Sequence, residues 1–427
     1  MKANDMWPLS TTDEVYNSLN IGEIRRQQHE MELIASENYV SVPILRAIGS
    51  VFTNKYSEGY PGKRYYAGQE FTDQIETLAI DRAKLLFRAQ YVNVQPLSGS
   101  PANLAAYLAL LQPGDKILGM SLAAGGHLTH GATPSATSKL WKAVQYSVDT
   151  STGLIDYDEL REIALRERPN LIVAGFSAYT RTVDWRRIKA IADEVGAKTM
   201  ADIAHIAGLV VSGLLENPID VGFDVVTSTT HKTLRGPRGG IVATNDEKLA
   251  KAIDKAIFPG LQGGPHMNCI GAKAIAFHEA QQPEFRTYGE AVLVNASALA
   301  MRLLHHGVEL VTGGTENHIV VMNCFNSFGL GGKQAQDLLE AAGLSTNRNA
   351  VPNDPRKPFD PSGIRLGSPA MTTRGLNEED FRHIADLIVE VLRAEGDLDK
   401  IAGIKEHVKS FCAKYPAPYD NFLESKV

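Results

Sequence analysis

The chain is expected to fold as an α/β protein, a mostly parallel sheet followed by a smaller α/β domain. Three observations predict this. From about Tyr91, short apolar runs alternate with helical stretches, the pattern of strands in a sheet covered on both faces. Polar clusters recur at the C-terminal ends of those runs, where open parallel sheets bind ligands. After about Arg286 the texture changes to a second, shorter set of helices and strands.

The elements follow in order. DEVYNSLNIGEIRRQQHEMELIA and VPILRAIGSVF are polar helical stretches that cannot bury their apolar sides alone. They predict an N-terminal arm, residues 1–53, that packs on something else. In a large domain, residues 54–285, YVNVQPL is a strand and PANLAAYLALL after SGS is a helix. KILGMSL and LIVAGFS are strands, and WRRIKAIADEVG is an amphipathic helix with Ile188, Ile191, Ala192 and Val195 at helical spacing. KTMADIA, DVVTSTT and GGIVATN are further strands. In a C-terminal domain, residues 286–427, a helix (AVLVNASALAMRLLHHG) leads to a strand (HIVVMNCF). A helix (GKQAQDLLEAAG), a Pro-rich loop (VPNDPRKPFDPSGIRLGSP) and a final helix after the N-cap Asn377 complete it. Phe381, Ile384, Ile388 and Val391 share one face of that helix.

Composition narrows the function. With 427 residues, 44% of them hydrophobic, the core needs no disulfide or metal staple. The 43 basic and 49 acidic residues leave a net charge of −6 with no basic run, so no nucleic-acid partner is expected. Cys269, Cys324 and Cys412 are scattered and form no Cys-x-x-Cys pair, which points to a reducing, cytoplasmic home. The N-terminus has no apolar signal core. The longest apolar stretch, Leu104 to Leu111, is far below a membrane span, so no membrane partner is expected.

Four strand ends carry Ser98-Gly99-Ser100, Ser177, Asp202-Ile203-Ala204-His205 and Thr229-Thr230-His231-Lys232. A solitary lysine is usually a solvated surface group. Lys232, however, follows small hydroxyls and precedes Gly236, Gly239 and Gly240. At the mouth of a parallel sheet, burial would lower its pKa and let it form a Schiff base, the chemistry of pyridoxal phosphate. That cofactor needs an acid at its ring nitrogen, and Asp202 lies at another strand end. It needs backbone N–H groups for its phosphate, and Ser98-Gly99-Ser100 precedes a helix expected at Ala102. It needs a ring to stack on, and His127 in GGHLTHG is a candidate. Each feature also has a plain reading: a turn cap, a loop, a structural histidine. No metal site is expected.

Together, and in this order, the stretches LIASENYVS, NKYSEGYPGKRYY, QPLSGSPAN, GGHLTHG, FSAYTRTVDW, DIAHIAGL, TSTTHKTLRGPRGG, FPGLQGGP, VPNDP and SGIRLGSPA resemble the serine hydroxymethyltransferases. The resemblance runs nearly end to end and implies pyridoxal-phosphate fold type I, with a mostly parallel seven-stranded sheet in the large domain. It implies reversible transfer of the serine hydroxymethyl carbon to tetrahydrofolate, giving glycine and 5,10-methylenetetrahydrofolate. By the same resemblance, Lys232 holds the cofactor, Asp202 pairs with its ring nitrogen, His205 sits near its phenolic oxygen and His127 stacks on it. Ser98, Gly99 and Ser100 bind the phosphate with Gly264 of the neighbouring subunit, and Ser177 and Thr229 hydrogen-bond the cofactor. His231 is the family histidine before the lysine. Arg365 clamps the substrate carboxylate, supported by Ser36. Glu58 is the general acid–base, delivered with Tyr56 and Tyr66 from the partner of a homodimer, which a tetramer could extend. Leu122, Leu128 and Asn349 match folate-contacting positions.

Three stretches depart from the family pattern. Ala124 stands where members usually carry His. Leu97-Ser98-Gly99-Ser100-Pro101 replaces a His-Ser-Gly-Ser-Gln run. Residues 132–139, ATPSATSK, replace a run close to SPVNFSGK, without its aromatic at Ala136 and with Ser138 for Gly. In the family the 132–139 loop lies by the folate site and the cofactor, so two alternatives stay open on the same core. One is an α-methylserine hydroxymethyltransferase, a group similar in its Ala-Ala-Gly-Gly-His stretch but lacking the histidine kept here as His231. The other is a folate-independent aldolase or transaldolase acting on β-hydroxy amino acids.

Overall fold

The computed structural model describes residues 11–394 and 396–420, so the expected outer limits of the arm and the C-terminal domain lie outside the described residues. Seven strands form the main sheet: β1 (Tyr91–Asn93), β2 (Lys116–Met120), β3 (Lys142–Tyr146), β4 (Leu171–Gly175), β5 (Lys198–Asp202), β6 (Val225–Thr229) and β7 (Gly240–Thr244). Their spatial order is β1-β7-β6-β5-β4-β2-β3. The pairs from β3 through β6 are parallel, and β7 runs antiparallel to β6 and β1. Every residue of β4, β6 and β7 is buried, as expected of strands covered on both faces. The sequence reading misses β3. It is an edge strand with exposed Lys142 and Gln145, so it lacks the apolar run that marks the others.

Helix Gly99–Leu110 starts one turn before the expected Ala102, with Ser98 as its N-cap. Pro101 falls in its first turn, where a missing N–H costs nothing. Helix Trp185–Val195 buries Trp185, Ile188, Ile191 and Ala192 on the sheet, the face its spacing predicts.

Two large clusters dominate the core, and a third, with Tyr107, Ile117, Val173, Met200 and Val225, fills the other face of the main sheet. The first takes one sheet face together with Phe87, Trp185 and Phe277. The second gathers Leu303, Val320, Leu339, Ile364, Phe381, Ile384 and Ile388 around a three-stranded antiparallel sheet. Its strands are β8 (Ile319–Asn323), β9 (Asn347–Asn349) and β10 (Gly363–Gly367), with β10 in the middle. The end of the expected Pro-rich loop is therefore the central strand β10. One continuous helix, Pro283–His305, runs through the expected boundary at 285/286 and puts Phe285 and Val292 in the first cluster and Leu299 and Leu303 in the second.

The first part of the arm packs on the C-terminal part of its own chain, and Ile44 of its second helix packs on Ala272 and Ala276. Met31–Glu32 pairs in parallel with Leu344–Ser345, and Met31 and Leu33 enter the second cluster. The Arg374 guanidinium donates to the carbonyls of Gln27, Gln28, Glu30, Cys412 and Tyr415, locking arm and C-terminus together. Helix Glu378–Leu392 is capped by Asn377 and Asp380 reciprocally and buries Phe381, Ile384, Ile388 and Val391. It is not the last helix: Leu398–Cys412 follows, capped by Asp397, with Ile401, Ile404, Val408 and Cys412 buried on a sparser apolar face. Among the described residues no helix is long and apolar enough to cross a membrane.

Candidate active site

The C-terminal ends of β4, β5 and β6 gather one cluster of polar side chains, the pit. Asp202, the last residue of β5, is 8% exposed. Its carboxylate accepts from Nε2 of His130 (3.0 Å), Nδ2 of Asn103 (2.8 Å) and the amide of Ala204 (3.1 Å). The His130 proton sits on Nε2, because its Nδ1 accepts the His127 amide at 3.2 Å. Burial pushes the Asp202 carboxyl up, but the hydrogen bonds from His130 and Asn103 outweigh it and hold the group well below the usual carboxylate range. Nδ1 of His127 accepts from the Thr129 amide (3.2 Å) and lies 2.7 Å from the Thr129 hydroxyl. Burial lowers this imidazole to about 4 and keeps it neutral.

Lys232 lies just past β6, half-buried, with its carbonyl held by Nδ2 of Asn38 at 2.9 Å. Burial lowers its ammonium to about 8; Asp202 opposes that shift, and Arg365 and Arg238 add to it. Burial also takes His231 down to about 3, helped by Arg238 and Lys232. His205 is buried and stacks on His318, with ring centroids 5.5 Å apart. Burial holds its imidazole far below the ordinary range. The Thr229 hydroxyl reaches the Ala204 carbonyl at 3.4 Å.

Arg365, on β10, points its guanidinium at this group. It donates to the Ser177 carbonyl (2.6 Å), Oδ1 of Asn347 (3.0 Å) and the Ser36 hydroxyl (3.3 Å). Burial lowers it to about 10, so it stays a cation, and none of these three partners is an acid.

Ser98, Gly99 and Ser100 form the start of helix Gly99–Leu110, whose N-cap makes no side-chain bond to the first-turn amides. A Cβ on Gly99 would come within 2.9 Å of Cγ2 of Thr229, and one on Gly240 within 2.5 Å of the Ser98 carbonyl, so the loop is pressed against β6 and β7. Beneath it, the fully buried Lys273 donates to the carbonyls of Val94 (2.6 Å), Pro96 (3.1 Å) and Gly240 (2.9 Å).

Tyr56, Glu58, Tyr66 and Gly264 form a second group on a rim. The two tyrosine rings are 5.1 Å apart, and a Cβ on Gly264 would lie 3.2 Å from the Tyr56 ring. Tyr56 is 56% exposed and Tyr66 47%. Among the described residues no hydrogen bond joins these side chains to the group around Lys232. Leu122 and Leu128 are exposed on either side of His127, and Asn349 on β9 donates to the Ala350 carbonyl at 2.6 Å. The divergent 132–139 segment contributes to a short helix, Ala136–Leu140. There Thr137 donates to the Thr129 carbonyl (3.0 Å) and Ser138 to the Gly131 carbonyl (2.8 Å), tying the segment to the turn that carries His127.

Sequence reasoning missed Asn103, His130, Asn347, His318 and Lys273. His130 was within reach, three residues after His127 in a turn where both rings face one side. Lys273 was not, since it lies in the helical run Met267–Ala280 with nothing around it to mark it. Ligand atoms of His127, His130 and Asp202 lie within 4.8 Å of one another, close enough for a cation, but the imidazole nitrogens nearest the turn are already hydrogen-bonded within the protein.

The profile of the serine hydroxymethyltransferase family matches residues 9–388. The chain belongs to the serine hydroxymethyltransferase family. It is 54% identical over 405 residues to serine hydroxymethyltransferase 1 of Pseudomonas aeruginosa, covering 95% of this chain and 96% of that protein. It is 52% identical over 414 residues to serine hydroxymethyltransferase of Legionella pneumophila (97% and 99% covered). It is 54% identical over 413 residues to serine hydroxymethyltransferase 2 of Ralstonia nicotianae (96% and 97% covered). The family consists of fold type I enzymes that use pyridoxal phosphate, with tetrahydrofolate as co-substrate, and the chain is an enzyme of this kind. The residues fit that cofactor on the structure's own terms. A half-buried amine of lowered pKa faces a buried, ionised carboxylate, and an uncapped helix start with no room for a Cβ lies beside them.

Proposed function

We propose that the chain moves the serine hydroxymethyl carbon reversibly to tetrahydrofolate, giving glycine and 5,10-methylenetetrahydrofolate, at a site completed by the second copy of a homodimer. The observation that carries the reading is the Arg365 guanidinium, buried beside Lys232 and held by Ser36 and Asn347 without an acid partner. A buried cation so arranged suits an amino-acid carboxylate. Bound in the pit, pyridoxal phosphate supplies an electron sink for the bond broken at the substrate's α-carbon.

Lys232 holds the cofactor, and its lowered pKa leaves a usable fraction of free amine near neutral pH. Asp202, ionised, keeps a proton on the ring nitrogen. Neutral His127 stacks on the ring. His205, Ser177 and Thr229 contact its polar edge, with His231 beside the lysine. The amides of Ser98, Gly99 and Ser100 take the phosphate, joined by Gly264 of the partner subunit. Glu58 of the partner subunit exchanges the proton of the serine hydroxyl, with Tyr56 and Tyr66 around it. Exposed Val51, Tyr56, Tyr65 and Phe71 in this stretch support burial against a second copy. Leu122, Leu128 and Asn349 meet the folate. The arm (1–53), large domain (54–285) and small domain (286–427) are the units of this assembly, which works in the cytoplasm.

The test is serine cleavage with and without tetrahydrofolate, alongside α-methylserine and allo-threonine. Folate is expected to accelerate serine cleavage strongly. Cleavage indifferent to folate would replace this reading with the aldolase, and a preference for α-methylserine with the α-methylserine enzyme.

A further inference from the structure

The Glu58 side chain is half-buried on the rim, and the backbone under it is held at three successive carbonyls. The amide of Tyr65 donates to the Glu58 carbonyl at 3.1 Å, across a hairpin in which Gly59 pairs with Arg64 and Tyr60 with Lys63. Nη1 of Arg64 donates to the carbonyl before Glu58, that of Ser57 (2.9 Å), and to the one after it, that of Gly59 (2.9 Å). Nε2 of Gln95 donates to the same Gly59 carbonyl at 2.9 Å.

The rest of the guanidinium is anchored below. Nε of Arg64 donates to Oδ1 of Asp73 (2.8 Å) and Nη2 to Oε2 of Glu76 (2.5 Å), both acids lying on helix Glu70–Phe87. The Arg64 side chain is 3% exposed and that of Glu76 1%. The other Glu76 oxygen accepts from Gln95 at 2.7 Å, so the hairpin, the helix and the chain leaving β1 close into one buried network. Such a buried ion pair is weak evidence for stability, since apolar side chains of similar volume often serve as well. Its specific product here is the fixed backbone on both sides of Glu58. The hairpin also requires glycine at 59: at φ +94° a Cβ there would meet the Lys63 carbonyl at 2.3 Å.

We propose that Arg64 is a positioning residue for Glu58, the planar fork that sets where the acid–base carboxyl enters the neighbouring site. This rests on the reading of Glu58 as that group. Four guanidinium N–H contacts run in different directions from one rigid plane, a set that the three donors of a lysine ammonium cannot span.

The test compares Glu58→Gln, Arg64→Lys and the charge-neutral pair Arg64→Met/Glu76→Gln in the cofactor-loaded enzyme, together with the triple variant that adds Glu58→Gln to the pair. In the pair, cofactor absorbance and the serine KM should stay near wild type while kcat for folate-dependent serine cleavage falls on the order of 10–100-fold. Arg64→Lys should rescue only part of that loss. Glu58→Gln should cost much less in the pair than in the wild-type chain, because the carboxyl is already misplaced. A folded pair with wild-type kcat, or full additivity with Glu58→Gln, overturns the inference. If the pair does not fold, Arg64→Lys decides: a reduced kcat at unchanged KM supports it, and wild-type kcat overturns it. Wild-type turnover in Glu58→Gln itself would instead sink the acid–base reading, and this inference with it.

Discussion

The pit around Lys232 and the rim around Glu58 are built in opposite ways. In the pit the side chains are fixed. Asp202 takes three donors, His127 is tied to Thr129, and Arg365 is spread over Ser36, Asn347 and Ser177. On the rim the backbone is fixed, and the Tyr56 and Tyr66 rings pack on each other with about half of each exposed. The two parts of the site therefore draw their environments from different sources. One chain sets the electrostatics of the pit alone, because strand ends bring Asp202, Thr229 and Ser177 together with a surrounding of low polarity. The rim supplies only a direction, and in the proposed dimer its environment comes from the second copy.

Disabling the pit in one chain and the rim in another separates the two regions most directly. Lys232→Ala alone should lose the visible cofactor band and lower serine turnover at least ~1000-fold. Glu58→Gln alone should keep the band and still lose most turnover. Mixed and allowed to exchange subunits, the two inactive preparations should regain activity, since each mixed dimer holds one site with Lys232 from one chain and Glu58 from the other. No recovery in a verified mixed dimer would put Glu58 and Lys232 in the same chain's site and end the division between pit and rim.

A smaller effect probes how tightly the pit is built. Gly99→Ala drives a methyl against Cγ2 of Thr229, 2.9 Å away. Overpacking of this kind costs about 1–3 kcal/mol, so cofactor affinity should weaken roughly tenfold. Thr229→Ser in the same chain removes that methyl and should restore part of the affinity. A titration of the apoenzyme with pyridoxal phosphate reads both, and a double variant no better than Gly99→Ala would show that the loop is not limited by this contact.

Much of the pit was legible in the sequence because strands and turns mark their own ends. Asp202, Ser98 and Lys232 follow apolar runs, and a parallel sheet collects such ends on one edge. Edge strand β3 was not legible, because Lys142 and Gln145 of its five residues are exposed, and β10 was hidden among prolines and glycines. Asn103 and Lys273 lie inside helices, where a polar residue reads as surface until tertiary packing buries it. The Arg64 clamp was hidden for the same reason: its partners Asp73, Glu76 and Gln95 only converge in three dimensions. What the residues alone could not say of Glu58 came from the family resemblance of its flanks, and the geometry adds how that loop is held.

The smallest expected effect concerns the pit without its cofactor. Burial first, then Arg365 and Arg238 against Asp202, lower the Lys232 ammonium from its ordinary 10.5 to about 8. Between those two values the unfolded chain carries a proton at this site that the folded chain has shed, so folding stability contributed by this group rises with pH across that window. Below about 8 both states are charged, and the full cost of burying the ammonium is present. Lys232→Met removes that cost at every pH. In the apoenzyme, the melting temperature of Lys232→Met should therefore exceed that of the wild type below pH 8, by on the order of 1–2 °C. The gap should shrink as pH is raised toward 10 and the wild-type amine becomes neutral in the fold. A gap that stays constant or widens over that range would mean the amine is not held in a desolvated pit, and the pit would then resemble the solvated rim it is contrasted with.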